Sequence, residues 1–131
     1  MSFGAAAVLG VIGICTPAFS HHAFSAEYDV KKPITLTGTV TKIEWTNPHA
    51  RFYISVKDEN GGTTEWNFEL ASPNGLMRRG WNRNSIKVGD TVTVMGYLAK
   101  DGAKMANTRS VTMPDGRKIF AGSADDGGPG Q

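Results

Sequence analysis

The chain has 131 residues, 14 Lys plus Arg against 12 Asp plus Glu, and a formal net charge of +2. That is room for one domain with a single modest core and too little for two. The cations are spread along the chain with no concentrated stripe, which argues against a dedicated nucleic-acid binder, so no nucleic-acid partner is expected.

Residues 1–20 contain no Asp, Glu, Lys or Arg, and Ala5 to Cys15 is an unbroken apolar run. That run has the length of a signal-peptide core and is too short to cross a bilayer. Pro17 ends it, and Ala18 and Ser20 supply the small residues that a cut before His21 requires. Residues 1–20 therefore read as a signal peptide, with a periplasmic or secreted product and no membrane attachment after cleavage. Met1-Ser2-Phe3 lacks the positive charge usual in such leaders, which a start codon set a few residues late would explain; the alternative is an apolar N-terminal helix or anchor. Cys15 is the one cysteine. Cleavage leaves a chain with no thiol and no disulfide, and excludes zinc sites built on cysteine.

After the leader, Ala23 to Pro33 shows no clear period and ends at a proline, so residues 21–33 read as an extended arm. Thr35 to Trp45 alternates, with Leu36, Gly38 and Val40 on one face. Ile43 and Trp45 resume out of phase, which marks a bulge, and Gly38 permits a sharp bend. Arg51 to Lys57 places Phe52, Ile54 and Val56 inward, and Asp58 to Gly62 is a hairpin signal. Thr63 to Leu70 then sets Trp66, Phe68 and Leu70 inward and Glu65, Asn67 and Glu69 outward. Ser72-Pro73 starts a short helix that stops at Gly80. A turn over residues 86–90 leads into Thr91 to Leu98, with Val92 and Val94 inward, and Asp101-Gly102 turns the chain into a long strand from Met105 to Met113. Asp115-Gly116 allows a small hairpin with Ile119 and Phe120, and the tail 121–131 is too polar and glycine-rich to pack.

Three meandering strands, a short helix and two further strands over residues 34–120 make an all-β domain with one short helix. Its expected architecture is a five-stranded Greek-key barrel of the OB type, with a small open meander or sandwich as the alternative.

The segments HHAFSAEYD, LTGTV, IEWTNPHARFY, WNFELASPNGLMRRGW and KVGDTVTV together resemble a family of small secreted bacterial proteins of unknown function. The similarity runs over roughly residues 21–120, and the His-His-x-Phe and Trp-x-Asn-Pro-His segments are its specific parts. The resemblance implies export and a small β-barrel-like domain, and it brings no activity with it.

All three histidines fall in the N-terminal segment or in the Trp45 to His49 loop. In an OB barrel that loop lies at the rim where the fold binds ligands. A chain cut before His21 offers a free α-amine beside an imidazole, with His22 next to it and His49 within reach of an arm that folds back. A nitrogen-rich, thiol-free donor set of this kind leans towards copper(II). A cut after Ala18 would instead give Phe-Ser-His, which encloses copper or nickel in a square plane on a flexible tip. The plain alternative is a solvated histidine pair and a His49 that only finishes a turn.

A second group is aromatic and polar: Trp45, Tyr53, Trp81, Arg51 and Glu69 lie in or near the strands of an OB binding face and would suit a protein or glycan partner. Trp66 is in phase with Phe68 and reads as core. No phosphate loop, nucleophile triad or paired carboxylates stand out, so nothing calls for an enzyme. The expectation is an exported, monomeric or weakly associating binding protein whose partner is a metal ion or an unidentified periplasmic protein or glycan.

Overall fold

The computed structural model describes residues 20–122, with side chains from Phe24 onward. Most of the expected signal peptide, Cys15 and the tail from Ser123 lie outside the described residues. The elements in chain order are α1 (Ser20–Glu27), β1 (Tyr28–Glu44), β2 (Arg51–Lys57), β3 (Thr63–Glu69), α2 (Pro73–Arg78), β4 (Thr91–Ala99), β5 (Met105–Thr112) and β6 (Lys118–Phe120).

β1 is the spine. Its first part pairs antiparallel with β4, from Tyr28↔Ala99 to Thr39↔Thr91, and its last part pairs with β2, from Thr39↔Ser55 to Glu44↔Arg51. The register to β2 slips between Val40 and Lys42, the bulge that the phase change in the sequence announces. β2 and β3 form a hairpin, β4 and β5 form another, and β3 pairs parallel with β5 through Asn67↔Met105 to Glu69↔Asn107. That parallel pair joins the two ends of the sheet, so the strands run β1-β2-β3-β5-β4 and return to β1. This is the connectivity of an OB barrel, with α2 in the β3–β4 connection and β6 added on the outer edge of β5.

The inward positions of the alternating strands fill the barrel: Val40, Phe52, Ile54, Phe68, Val92, Val94, Ala106 and Val111 are all buried, with Phe52 and Phe68 stacked at 5.6 Å between ring centroids. α2 closes one end. Ser72 caps it by accepting from the Gly75 amide at 3.1 Å, Pro73 fits its first turn, and Leu76 is fully buried beneath it. Gly80, at φ 90°, turns the chain out of the helix, a conformation that favours glycine.

Two expectations need correction. Residues 21–33 are not an extended arm. They are α1 followed by the first residues of β1, because Phe24 and Tyr28, four residues apart, lay their rings against each other at 5.6 Å and bury together on the outside of β4. Phe24 also meets Tyr97 edge-on at 6.3 Å. With Ala99, and with Met95 and Met105 packed against them, these residues form a second small apolar cluster outside the barrel. The tail also starts later than its composition suggests. Ala121 is fully buried, donates its amide to Arg109 and accepts from Ala71, while the Gly122 carbonyl accepts from Arg79.

β4 and β5 approach closely at Gly96, where an added Cβ would stand 2.1 Å from the Asn107 carbonyl oxygen. That oxygen belongs to a ladder strand and cannot move aside. Gly96→Ala is expected to destabilise the domain by about 2–3 kcal/mol, read as a lower urea midpoint at unchanged m-value.

Candidate functional site

Period-2 alternation puts Glu69 on the outer face of β3, opposite Phe68, and the backbone obeys it. At this end of the barrel, however, the outer face is covered. Glu69 is only 5% exposed, beneath Tyr28 on one side and the β1–β2 loop on the other. A carboxylate in such a place needs charged or hydrogen-bonding partners. It has three. Oε1 accepts from His49 Nδ1 at 2.7 Å, and Oε2 accepts from Arg51 Nη2 at 2.7 Å and from the Tyr28 hydroxyl at 2.9 Å.

Each donor comes from a different segment. Tyr28 opens β1 directly after α1, His49 ends the loop that contains the cis Asn47–Pro48 peptide, and Arg51 opens β2 in register with Glu69. The Arg51 guanidinium also reaches Asn67 Oδ1 at 3.4 Å and Met105 Sδ at 3.5 Å, which fixes its fork against the β3–β5 seam.

The electrostatics follow from this arrangement. Burial alone would raise the Glu69 carboxyl, but the hydrogen bonds from His49 and Tyr28 and the nearby charges of His49 and Arg51 outweigh it, and the group is held below the usual carboxylate range. Burial, then the neighbouring Glu69 charge, push the Tyr28 phenol far up, so it stays protonated and acts as a donor. An ionised carboxylate can only accept, so the proton in the His49–Glu69 bond sits on Nδ1. In a neutral ring that leaves the lone pair on Nε2. The His49 side chain is 45% exposed while the Glu69 side chain is 6% exposed, so the network runs from a buried anchor to a surface imidazole.

The two sets of expected site residues fare differently. His49 is one of the three donors to Glu69 and forms the exposed end of the network. His21 and His22 stand in the first turn of α1, three and two residues before Phe24; their side chains lie outside the described residues. Among the described residues no cluster of three His, Cys, Asp or Glu side chains suited to a metal is present.

The expected ligand face, Trp45, Tyr53, Glu69, Trp81 and Arg51, does not come together. Trp81 is buried in the core and donates its indole N–H to the Phe120 carbonyl at 2.9 Å. Trp45 packs partly buried against the same core, and the two rings share a lining with Ile43, Phe52, Leu70 and Ile86 at the α2 end. Arg51, Tyr53 and Glu69 lie on the opposite, outer side. There the Lys42 ammonium sits 5.2 Å from the Tyr53 ring centre and pairs with Glu44 at 2.8 Å.

The other end of the barrel carries a feature that alternation alone did not reveal. Beside the β2–β3 hairpin, Leu36, Val56 and Trp66 line an open groove of about 530 Å³ together with Lys57, Asp58, Glu59 and Lys104. Trp66 is only partly buried there, with the Lys104 ammonium 5.2 Å from its ring centre. Tyr28 also went unrecognised as part of a site; the signal available for it was its four-residue spacing from Phe24.

Compared with known families, the chain matches the model described as "Family of unknown function (DUF6152)" over residues 8–108. The chain belongs to DUF6152. The match spans the two histidine segments, the Glu69 network and every barrel strand as far as the start of β5. Among solved structures, this DUF6152 protein is similar to Rim1, a mitochondrial single-stranded DNA binding protein from S. cerevisiae, with a TM-score of 0.50 and 10% sequence identity over 63% of this chain and 93% of that one. At that identity the likeness shows the fold alone, and it agrees with the OB connectivity. No curated protein matches the chain.

The depressed Glu69 carboxyl makes stability pH-dependent. Its contribution is fully present above the unfolded-chain value, about 4.3, and is lost as pH falls through the lower folded value. Glu69→Gln is expected to cost about 3 kcal/mol at pH 7, because it leaves Arg51 without its charge partner. Urea unfolding between pH 7 and pH 3 should show a steep acid loss below about pH 4.5 in the wild type and a flatter limb in the variant.

Proposed function

We propose that this protein is an exported small binding protein that holds a divalent metal at the N-terminal rim of its barrel, with His21, His22 and His49 as ligands. The observation that carries this reading is the 2.7 Å bond between His49 Nδ1 and the buried Glu69 carboxylate. A carboxylate on one imidazole nitrogen is the usual support of a metal-binding histidine: it fixes the tautomer, orients the ring and makes the other nitrogen a better donor. Nε2 would be the metal-binding atom of His49. A cut before His21 leaves α1 almost whole and adds the α-amine to the donor set. The nitrogen-rich set favours copper(II) over harder cations.

Export is part of the proposal and rests on the apolar run and small residues ahead of His21.

Protein recovered from the periplasm is expected to begin at His21 by N-terminal sequencing and to carry one copper by native mass spectrometry. His49→Ala is expected to weaken copper binding about tenfold or more in a competition titration with a chromogenic chelator. Undiminished affinity would remove His49 from the site.

A second reading has its own observation. The groove lined by Leu36, Val56 and Trp66 offers an apolar surface with polar groups beside it, as an interaction module for a protein or glycan would need. Under that reading Trp66→Ala abolishes capture of the periplasmic partner while His49→Ala leaves it intact, which co-purification or glycan-array binding distinguishes.

A further inference from the structure

Glu69 and the aromatic residues aside, the buried polar side chains of the described residues form one run on β5: Asn107, Thr108, Arg109 and Ser110. Glu69 has three partners. The β5 run is not satisfied in this way. Asn107 Oδ1, Thr108 Oγ1 and Arg109 Nη2 have no hydrogen-bond partner among the described residues. No ion pair among the described residues includes Arg109, although that residue is only 4% exposed. A buried guanidinium without a counter-charge is far costlier than an amide or hydroxyl without a bond. The Phe120 ring centre lies 5.7 Å from Arg109 Cζ, and one such cation–π contact is a weak substitute for an anion.

The backbone brings the donors of this run to one face. Successive partners across β4 are Met95 with Ser110 and Gly96 with Thr108, so Arg109 is the extra residue of a β-bulge. Thr108 alternates with the buried Ala106 and faces the barrel core. Asn107, in register with Glu69 and Tyr97, faces outward. Arg109 reaches the ring of Phe120, whose neighbour Ile119 packs on the core side. The bulge leaves Ser110, the Cα partner of Phe120, outward as well. A guanidinium, a hydroxyl and a side-chain amide thus share the outer face of β5, and turning the Asn107 amide over exchanges its oxygen for an NH2 donor. From α2, Arg79 reaches the Gly122 carbonyl at the end of the same strap, and residues 70–89 contain Arg78, Arg79, Arg83 and Lys87 but no Asp or Glu.

We propose that the outer face of β5 is an anion site, in which Arg109, with Ser110 and Asn107 beside it, binds a small carboxylate or phosphate-type oxyanion. The planar guanidinium fork matches two oxygens of such a group, a geometry that chloride cannot use. The ring over the guanidinium, Phe120, is 47% exposed and belongs to a three-residue edge strand, which makes it the movable wall of the site. The site needs none of the histidines and stands apart from the metal reading.

The probes are acetate and inorganic phosphate, compared with chloride at constant pH and ionic strength, and the readout is thermal unfolding of the purified protein. An anion that binds only the folded state raises Tm with its concentration, and the wild type is expected to gain about 4 °C or more over chloride. Arg109→Met is expected to be at least as stable as the wild type in chloride, because it removes an unpaired buried charge, and to lose this gain. Arg109→Lys keeps the charge without the fork and is expected to keep less than about half of it. Exclusion of phosphate from protein surfaces acts on all three chains alike, so the gain of the wild type over Arg109→Met is what names the anion.

An equal gain in Arg109→Met, meaning an adventitious ion only, overturns the proposal, as does a wild type indifferent to the three salts. Should Arg109→Met fold poorly, acetate and phosphate titrations of the wild type are followed through the amide resonances of residues 107–110. Saturable shifts there that chloride does not reproduce support the site, and unmoved resonances overturn it.

Discussion

One buried negative charge organises the N-terminal end of this molecule. Leaving an isolated carboxylate in a dry site is among the costliest things a fold can do, and breaking a buried pair by removing one partner typically costs about 3–5 kcal/mol. Glu69 avoids that cost only while Tyr28, His49 and Arg51 all stay where they are. Three segments far apart in the chain are thus held to one point more specifically than apolar packing would hold them. The barrel would close without this network, since its core lies on the other face of β3. What the network adds is definition: a seat for α1, a ring orientation for His49 and a fixed fork for Arg51.

The domain accordingly has two cores of different character. Inside the barrel, Phe52, Phe68 and the aliphatic residues around them form a conventional apolar interior, plugged at one end by Leu76. Outside it, Phe24, Tyr28, Tyr97 and Ala99 make a thin apolar layer that borders directly on the Glu69 charge. A small apolar layer against a buried ionic group excludes water from the carboxylate and strengthens each of its hydrogen bonds. At the opposite end, the inner face of the β2–β3 hairpin is left partly open, and Trp66 is screened there by a lysine rather than by other core residues.

The barrel was largely legible in the sequence because its strands alternate. β2, β3, β4 and β5, the β1 bulge, the Ser72-Pro73 helix start and the OB connectivity all follow from period-2 patterning and turn residues. What escaped was decided by tertiary contact. SHHAFSAE carries no amphipathic stripe, and it becomes helical because Phe24 finds Tyr97, a residue more than seventy positions away. Glu69 was assigned to the correct face, but alternation says only which side a residue is on, not whether that side meets water. Trp81 follows Gly80 in an irregular loop where no periodicity exists; it is buried by packing into the core cluster, with its indole N–H satisfied by the Phe120 carbonyl. His49 was readable as a candidate from the Asn-Pro-His segment, and Glu69 as part of a ligand face; that these two residues, twenty positions apart, meet was not.

The order in which the barrel's pieces appear along the chain decides when the ring can close. The β3–β5 pair that closes the ring needs residues 105–107, and the stitch from Ala71 to Ala121 needs nearly the last described residue. Until those arrive, a chain emerging in N-to-C order holds only β1 to β4, an open sheet without the β3–β5 closure. Such non-local closure is slow, and incomplete sheets of this kind are poorly protected. Ring closure is therefore a late event along the chain, available only once β5 can reach β3.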